Sequence, residues 1–408
     1  MPRAHATISD RLASSRADQR ALADERCDRS ETGDRRRVRP FGPMRAMRHL
    51  LRVTGEPVPY LLLTALLVAL LMSALAAANW HLAPLSYSAG ALGRAADALV
   101  TGDNYAVFDL NLDTRGLRRA QIARLAVRPD VVVLGASHWQ EAHADLLPGH
   151  RFYNAHVHRD YYEDLLAVVE MLLRHDRLPD TLIMSIRDMT FLPEAQRSDT
   201  LWLTALPDAN AMKARLGIDR PWLETRPLER WLGLLSLSSL LDHGLRRLGA
   251  ATLPGPVEAL FLPTMDVLQA DGSIRWSSVH REMFTPERTD AEVASAATQR
   301  QGLALQIDEA AVAAIDRLLA LLRERDVRVV LIHPPFNPDF YRQVHRTAYG
   351  AGLQRVEAVT ARLAAAHGAT VVGGFDPAIA GCTAAMFIDA EHSGPACLQR
   401  LIDLVPGL

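Results

Sequence analysis

The sequence predicts an α/β protein: a parallel sheet with helices on both faces, a cap region inserted between its strands, and one transmembrane helix near the N-terminus. The sheet is predicted by an alternation that starts at about residue 103, in which short apolar runs are followed by segments with apolar residues at helical spacing. Short connections between such strands and helices are typical of a parallel sheet covered on both sides. The membrane helix is predicted by a long uncharged apolar stretch that precedes this alternation.

Length and composition are those of a folded chain. Its 408 residues suffice for one large or two ordinary domains, and 49% of them are hydrophobic against 23% charged. A formal net charge of −2 at pH 7 gives no reason to expect a nucleic-acid partner. The three cysteines, Cys27, Cys382 and Cys397, lack the Cys-x-x-Cys or paired-histidine spacing of a zinc site. We therefore expect neither a metal nor a cofactor.

The N-terminal region divides into a polar tail and an apolar span. Residues 1–57 are rich in arginine and poor in large apolar side chains, so we expect a disordered cytoplasmic tail. The anchor is assigned to residues 58–79, within which the nineteen residues Tyr60–Ala78 carry no charge. At 1.5 Å per residue this stretch spans roughly 29 Å, about the hydrocarbon thickness of a bilayer.

Arginines on one side of the span set its expected orientation. Seven precede it: Arg35, Arg36, Arg37, Arg39, Arg45, Arg48 and Arg52. Under the positive-inside rule the N-terminus is then cytoplasmic and residues 80–408 lie outside, with Trp80 as an interfacial residue. A cleaved signal peptide is the alternative, because residues 74–78, ALAAA, resemble a cleavage site. The apolar stretch is longer than the roughly 7–15 residues of a signal peptide, which favours a retained single-pass anchor.

After a linker and lead-in at residues 80–127, the predicted domain covers residues 128–408. Its first strand, DVVVLG, has the consecutive β-branched residues of a strand buried on both faces. The predicted strands cover residues 130–135, 151–155, 181–186, 327–333 and 369–375. The predicted helices cover residues 161–175, 307–325, 341–367 and 395–404, the last with Pro395 in its first turn.

The alternation breaks between about residues 190 and 306, which we interpret as an insertion or cap on the sheet. This segment includes Trp202, Trp222 and Trp276, whose rings either pack in a core, the commoner use, or stack on sugar rings. It also contains QADGSIRWS, residues 269–277, in which Asp-Gly indicates a turn between two short strands.

Polar residues stand where the predicted strands end. Ser137 follows the first strand, Asn154 lies at the end of the second, and Arg187 and Asp188 follow the third. Because ligands of parallel sheets bind at the carboxyl ends of the strands, these residues mark one candidate site.

A second motif lies near the C-terminus, where Asp389 and His392 stand three residues apart just before the last helix. A carboxylate so placed can fix the tautomer of an imidazole, and that imidazole can take the proton of a serine hydroxyl. Each motif alone has an ordinary explanation, since Asp-x-x-His occurs by chance and Gly-Ala-Ser before a helix is often a turn or an N-cap. Their order and their places in the sheet favour a catalytic role for Ser137, His392 and Asp389.

Together these motifs resemble those of the SGNH (GDSL-type) hydrolase superfamily. VVVLGASH stands in the place of its Gly-Asp-Ser block and DAEH in the place of its Asp-x-x-His block, over about residues 128–405 apart from the insertion. The resemblance implies a three-layer, flavodoxin-like parallel sheet, with Ser137 as nucleophile, His392 as general base and acid, and Asp389 as orienting carboxylate. The Gly-x-Ser-x-Gly motif of α/β-hydrolases is absent, because Trp139 occupies its last position.

The anchored N-terminus and the large insertion are most similar to cell-envelope members of that superfamily, such as the alginate O-acetylation proteins. The resemblance implies a bacterial inner-membrane protein with a periplasmic catalytic domain. Its expected activity is acyl-ester transfer or hydrolysis on O-acetyl groups of an envelope or secreted polysaccharide, with a membrane acyltransferase as a candidate partner. The alternative from another class is a catalytically degenerate protein that binds glycan or scaffolds an export complex.

The sequence departs from the superfamily at the oxyanion hole, which there uses the serine N–H, a glycine after the second strand and an asparagine after the third. Here the second region reads YNAHVHRDY, without glycine, so Asn154 or a nearby backbone N–H takes that place. In the third region Arg187-Asp188 stand where Gly-x-Asn-Asp is expected. An arginine can stabilise an oxyanion, whereas a neighbouring aspartate opposes it. These departures favour the degenerate alternative, whereas the intact Ser137, Asp389 and His392 oppose it.

Two further features surround the candidate site. His138, in a group with His143, His156 and His158, is assigned to oxyanion or substrate binding in preference to a metal site. Cys382 and Cys397 flank Asp389 and His392 in the sequence. Outside the cytoplasm a disulfide between them is plausible. Two unrelated buried thiols are the alternative, and the sequence leaves both open.

Overall fold

The computed structural model describes residues 57–82, 88–107, 112–158, 160–193, 204–218, 233–237, 240–241, 255–282 and 285–408. The predicted tail, apart from Pro57, lies outside the described residues together with its seven arginines, as do Trp202 and Trp222. Two compact units divide the chain after Leu67, and the first helix, which crosses this boundary, is considered by itself.

That helix, α1 (Pro57–Leu82), is continuous over 26 residues. Its span Tyr60–His81 is long enough and apolar enough to cross a membrane, and 0% of its apolar window is buried. Leu61 and Leu71, for example, are each 68% exposed. An apolar helical surface of this length is compatible with the single-pass anchor that the sequence predicts.

The other strands and helices of the described residues have the following bounds. The strands are β1 (Asn104–Val107), β2 (Val131–Leu134), β3 (Phe152–Asn154), β4 (Thr181–Ser185), β5 (Gly255–Val257), β6 (Asp266–Leu268), β7 (Ile274–Arg275), β8 (Arg328–His333) and β9 (Thr370–Gly373). The helices are α2 (Ala89–Val100), α3 (Thr114–Ile122), α4 (Tyr162–Arg174), α5 (Leu206–Arg215), α6 (Ser278–Glu282), α7 (Pro286–Gln301), α8 (Glu309–Glu324), α9 (Pro338–Val344), α10 (Ala348–His367), α11 (Pro377–Ala380) and α12 (Pro395–Asp403).

Five of the strands form a sheet in the order β3-β2-β4-β8-β9. All neighbours in it run parallel, which confirms the predicted parallel α/β architecture. The order of the strands reverses between β2 and β4, and ligands of open α/β sheets bind at such a reversal, beyond the carboxyl ends of the strands. Val131 pairs with both Phe152 and Thr181, so β2, β3 and β4 end at the same edge.

The apolar run of β2 fills the protein core on both faces of this sheet. Val132 and Leu134 lie in the larger hydrophobic core, together with side chains of α4, α8 and α10. Val131 and Val133 lie in the core on the other face, together with side chains of α12. Successive side chains of a strand point to opposite faces, which explains why all four positions are apolar. Each fully buried valine stabilises the fold by about 1.5–3 kcal/mol relative to an exposed one.

The predicted helix at residues 341–367 is in fact two helices, α9 and α10, joined at residues 345–347. The first begins earlier than predicted, at Pro338, because the side chain of Asn337 caps it by accepting from the N–H of Asp339. The joint brings Gly350 so close to the carbonyl of His345 that a Cβ there would collide, so glycine permits this sharp turn.

A second sheet joins the lead-in to the insertion. It is antiparallel, with the order β5-β1-β6-β7, so that β1 of the lead-in pairs with β5 and β6 of the insertion. The Asp-Gly turn predicted within residues 269–277 connects β6 and β7, with Gly272 at a φ of +85°. The buried side chains of α2 and α3 pack on this sheet together with Trp276.

Candidate active site

The candidate site begins at the Ser137 turn (residues 135–139), which directly follows β2. Gly135 is required here, since a Cβ would lie 2.6 Å from Cβ of Ser185 and 2.7 Å from Cδ1 of Trp139. Ser137 opens a short 3-10 turn, and Trp139 closes it with a fully buried ring. No side chain in the described part of the protein caps this turn. The hydroxyl of Ser137 instead lies 2.7 Å from Nε2 of His392, so the serine is not an N-cap.

His392 lies in a second tight segment, the His392 loop (residues 387–393), which is closed by a bridge between Phe387 and Ser393. The Oδ1 atom of Asp389 accepts hydrogen bonds from the backbone N–H groups of Glu391 and His392, both at 2.7 Å. These two bonds orient the carboxylate from within its own loop. Asp-x-x-His thus acts as a local turn that fixes both of its functional side chains.

A disulfide closes the segment around this loop. Cys382 and Cys397 are bonded, with their Cα atoms 5.4 Å apart. Of the two alternatives that the sequence leaves open, the structure therefore has the disulfide. Cys397 belongs to α12, which therefore holds the far end of the segment in the core.

The structure brings Ser137, His392 and Asp389 into one hydrogen-bonded chain. Nδ1 of His392 lies 2.6 Å from Oδ2 of Asp389, and Nε2 lies 2.7 Å from the hydroxyl of Ser137. If Nδ1 donates its proton to the carboxylate, Nε2 has a lone pair ready to accept the serine proton. This is the geometry in which an imidazole can activate a hydroxyl as a nucleophile.

Electrostatics around His392 favour its protonated form. Burial lowers the pKa of His392, but the charge and hydrogen bond of Asp389, with a smaller contribution from Glu391, raise it above its ordinary value. Burial likewise raises the pKa of Asp389, and His392 together with the two loop N–H groups brings it below its ordinary value. The side chain of His392 remains 26% exposed, so the serine end of this hydrogen-bonded chain is accessible from solvent.

Asn154, predicted for oxyanion or substrate binding, serves the fold instead. Its amide donates to the carbonyls of Trp139 at 2.6 Å and Ala142 at 2.8 Å, and its Oδ1 accepts from the N–H of His156 at 3.0 Å. Both amide protons are therefore used to hold the segment that carries Ser137. Among the described residues, no acceptor is found for the backbone N–H of Ser137, which stands at the first position of its 3-10 turn.

Arg187 and Asp188 lie where the sequence predicts, at the end of β4, and both are buried. The guanidinium of Arg187 is 3.5 Å from Asp188 and Glu391 and 3.7 Å from Asp160, longer than an ordinary hydrogen bond of about 2.7–3.2 Å. Burial raises the pKa of Asp160 to about 7 although Arg187 lowers it. Asp188 has other partners: its Oδ2 accepts from the Tyr349 hydroxyl at 2.6 Å and from Arg300 at 3.1 Å.

His138 stacks on His392, with ring centroids 5.2 Å apart. It is 3% exposed, and neither of its ring nitrogens has a hydrogen-bond partner within the described part of the chain. Burial, assisted by the positive charges of Arg187, His392 and Arg300, holds its pKa well below the ordinary value, so the ring is neutral. Among the described residues, no group of three or more His, Cys, Asp or Glu side chains could hold a metal ion.

Three residues around the site were missed in the sequence. Glu391 was visible within the Asp-x-x-His motif, where an acidic side chain adjoins the histidine. Arg300 lies on α7 of the insertion and Tyr349 on α10, and no motif marks either. Trp276, also from the insertion, faces the ring of His392 at 6.3 Å and stacks on His280, so it lines the site as a packed aromatic residue.

Comparisons with known proteins do not extend this description. No model of a known protein family matches the chain, and no curated protein matches it.

Proposed function

We propose that the protein is a serine-dependent acyl-ester transferase or esterase with an SGNH-like fold. The observation that carries the proposal is the chain of two short hydrogen bonds from Asp389 through His392 to Ser137. Its position supports the same conclusion, because the Ser137 turn follows β2 at the reversal of strand order where α/β sheets bind ligands. The three-layer sheet and the order of the two motifs along the chain favour the SGNH superfamily over other serine hydrolases.

The proposed reaction has two steps. The Ser137 hydroxyl attacks the carbonyl carbon of an ester while its proton passes to Nε2 of His392. The tetrahedral intermediate then expels the alcohol, which takes that proton and leaves an acyl group on Ser137. In the second step a water molecule or an acceptor hydroxyl gives its proton to Nε2 of His392 and attacks the acyl carbon. The second tetrahedral intermediate then breaks its bond to the serine oxygen, which takes the proton back from His392, so the acid or the new ester leaves and the Ser137 hydroxyl is restored. The two activities differ in that incoming group alone.

Stabilisation of the oxyanion is assigned to the N–H of Ser137 and to Arg187, whereas His138 is assigned to binding of the substrate. Within the described part of the chain, Arg187 is a buried cation without a short hydrogen bond to a carboxylate, and the neutral ring of His138 has no hydrogen-bond partner on either nitrogen. A buried cation such as Arg187 stabilises developing negative charge strongly in a site that excludes water. The Asp188 carboxylate, which would oppose that charge, is directed towards Arg300 and Tyr349.

The proposed substrate is an O-acetylated envelope or secreted polysaccharide, and the proposed location is the periplasmic side of a bacterial inner membrane. The apolar span of α1 supports an anchor. The disulfide between Cys382 and Cys397 supports an oxidising compartment for the catalytic domain. A membrane acyltransferase that supplies the acyl group is the proposed partner.

Labelling with a fluorophosphonate probe tests the enzyme against the degenerate glycan-binding or scaffold alternative. We expect the full-length chain in detergent to be labelled at Ser137, whereas Ser137→Ala should not react because the attacking oxygen is gone. His392→Ala should reduce labelling and the hydrolysis of p-nitrophenyl acetate nearly as severely, by on the order of 10⁴-fold or more. A folded wild-type chain that is not labelled would favour the degenerate alternative.

A further inference from the structure

One guanidinium joins the insertion to the two loops of the site. Arg300, near the C-terminal end of α7, donates from Nη2 to Oε1 of Glu391 at 2.7 Å and from Nη1 to Oδ2 of Asp188 at 3.1 Å. Glu391 belongs to the His392 loop, whereas Asp188 follows β4. Arg300 therefore bridges two segments that are about 200 residues apart in sequence. At that separation, contacts between sequence neighbours cannot set the position of one segment relative to the other.

The bridge is mostly shielded from water. The side chains of Arg300 and Glu391 are 18% and 17% exposed, and that of Asp188 is 1% exposed. Tyr349 adds a hydrogen bond to Asp188 and lies with its ring 5.4 Å from the Arg300 guanidinium. Two carboxylates in such surroundings are tolerated when a cation compensates their charge and their oxygens are hydrogen-bonded.

The same helix contacts the His392 loop a second time, without charge. The hydroxyl of Thr289 donates to the carbonyl of Ile388 at 3.0 Å. α7 thus holds the loop at two points, one neutral and one ionic. This pair of contacts allows the effect of charge to be separated from the effect of mechanical support.

We propose that Arg300 is a positioning residue for the proposed catalytic base: it holds the His392 loop against the end of β4 and compensates the charges of Glu391 and Asp188. The inference rests on the proposed function, because it assigns Arg300 a role in setting the protonation of His392. Arg300 acts through these two carboxylates, and the proposal does not require it to contact the substrate.

The consequence for His392 follows from the charges that face it. Asp389 and Glu391 raise the pKa of His392, while burial and Arg187 lower it, and His138 stacks against the ring as a neutral group. Without Arg300, the Glu391 carboxylate loses its closest cation, which lies at 2.7 Å, and retains only Arg187 at 3.5 Å. Protonation of His392 is then favoured, so the neutral imidazole needed for attack by Ser137 should form only at higher pH.

The test is the pH dependence of the fluorophosphonate reaction rate, measured on the full-length chain in detergent. We expect Arg300→Met to move the midpoint of the rise in rate to a higher pH, by roughly half a pH unit to one pH unit. Glu391→Gln should move it downward, because a negative charge near His392 is lost. Arg300→Lys should restore the midpoint through its charge, with a lower plateau because an ammonium cannot reproduce the planar two-sided contact.

Two matched controls lie on the same helix. Thr289→Val removes the neutral contact and should lower the plateau or the melting temperature with an unchanged midpoint. Arg288→Met makes the same substitution as Arg300→Met at an exposed position and should match the wild type. If Arg300→Met does not fold, Glu391→Gln and Arg300→Lys carry the test.

Opposite shifts for Arg300→Met and Glu391→Gln support the proposal. A lower plateau with an unchanged midpoint in both variants would overturn it, since Arg300 would then be a structural contact like Thr289. An unreactive wild-type chain would defeat the proposed function itself, and the positioning role with it.

Discussion

The His392 loop and the Ser137 turn each carry an imidazole, that of His392 partly exposed and that of His138 buried, and the two rings stack at an angle of 22°. Their electrostatic states are opposite. Burial lowers the pKa of both rings, but in the loop Asp389 outweighs burial and raises the pKa of His392. In the turn, no carboxylate of the described residues lies within hydrogen-bond distance of His138, the nearest oxygen of Glu391 being 3.9 Å from its Nε2. Burial therefore keeps the pKa of His138 well below the ordinary value.

The comparison shows that a hydrogen-bonded carboxylate can outweigh the effect of burial on the pKa of an imidazole. The general base of an acyl transfer must be neutral at the start and must hold a positive charge in the intermediate. His392 has a hydrogen-bonded carboxylate to stabilise that charge, whereas a charge on His138 would be buried beside Arg187 with its nearest carboxylate, that of Glu391, 3.9 Å away. Two imidazoles in contact can therefore have separate roles.

Asp389→Asn is the variant that should break this comparison most strongly, since it makes the surroundings of His392 like those of His138. The imidazole keeps its place but loses the carboxylate that fixes its tautomer and stabilises its charge. We expect kcat/KM on p-nitrophenyl acetate to fall on the order of 10³- to 10⁴-fold, less than for Ser137→Ala. Asp290→Asn, at an exposed position of α7, is the matched control and should retain full activity. Activity within tenfold of wild type would show that His392 works without its carboxylate.

Much of the scaffold of the site could be predicted because its signals are local. The run Val131–Leu134 is apolar at every position, which is typical of a central parallel strand, and the small residues after it mark the turn. Asp389 and His392 lie within one turn of chain, so their hydrogen bond depends on neighbouring residues alone. A sequence reports such contacts directly.

The contacts that the sequence could not reveal join distant segments. Arg300 meets Glu391 across 91 positions, and β1 pairs with β5 across about 150, with no periodicity that links the partners. Asn154 shows a different limit: its position at a strand end was predicted, but its side chain is taken up by the carbonyls of Trp139 and Ala142. The pKa of His392 also depends on such packing, and so its direction of shift could not be read from the motif.

Reduction of the disulfide between Cys382 and Cys397 should weaken the loop and leave the turn intact. Opening a closed segment of this length costs about 3 kcal/mol in the chain-entropy model. We expect a lower melting temperature and lower activity in the double variant Cys382→Ser/Cys397→Ser. Cys27→Ser is the matched control, because Cys27 lies outside this segment. Equal melting temperatures for the double variant and the wild type would contradict a stabilising role for the bond.

The smallest expected effect concerns the other ring. His138→Phe keeps an aromatic ring against His392 and removes both nitrogens. If those nitrogens bind substrate, KM should rise by about 3- to 10-fold, the usual worth of one hydrogen bond, with little change in kcat. His150→Phe, at an exposed position, is the matched control. A large loss of kcat with an unchanged KM would place His138 in the chemical step instead.

Stability should distinguish the two rings by the sign of its pH dependence. The folded-state pKa of His138 is depressed, so its contribution is present above the unfolded value of about 6.5 and is lost as the pH falls below it. His138→Phe should therefore lose less stability than the wild type between pH 7.5 and pH 5, measured by denaturant unfolding.

The folded-state pKa of His392 is raised, so its contribution to the free energy of unfolding is complete below a pH of about 6.5 and is lost as the pH rises through the folded-state pKa. His392→Phe should accordingly differ most from the wild type at low pH, and parallel curves for the two variants would mean that their environments are alike.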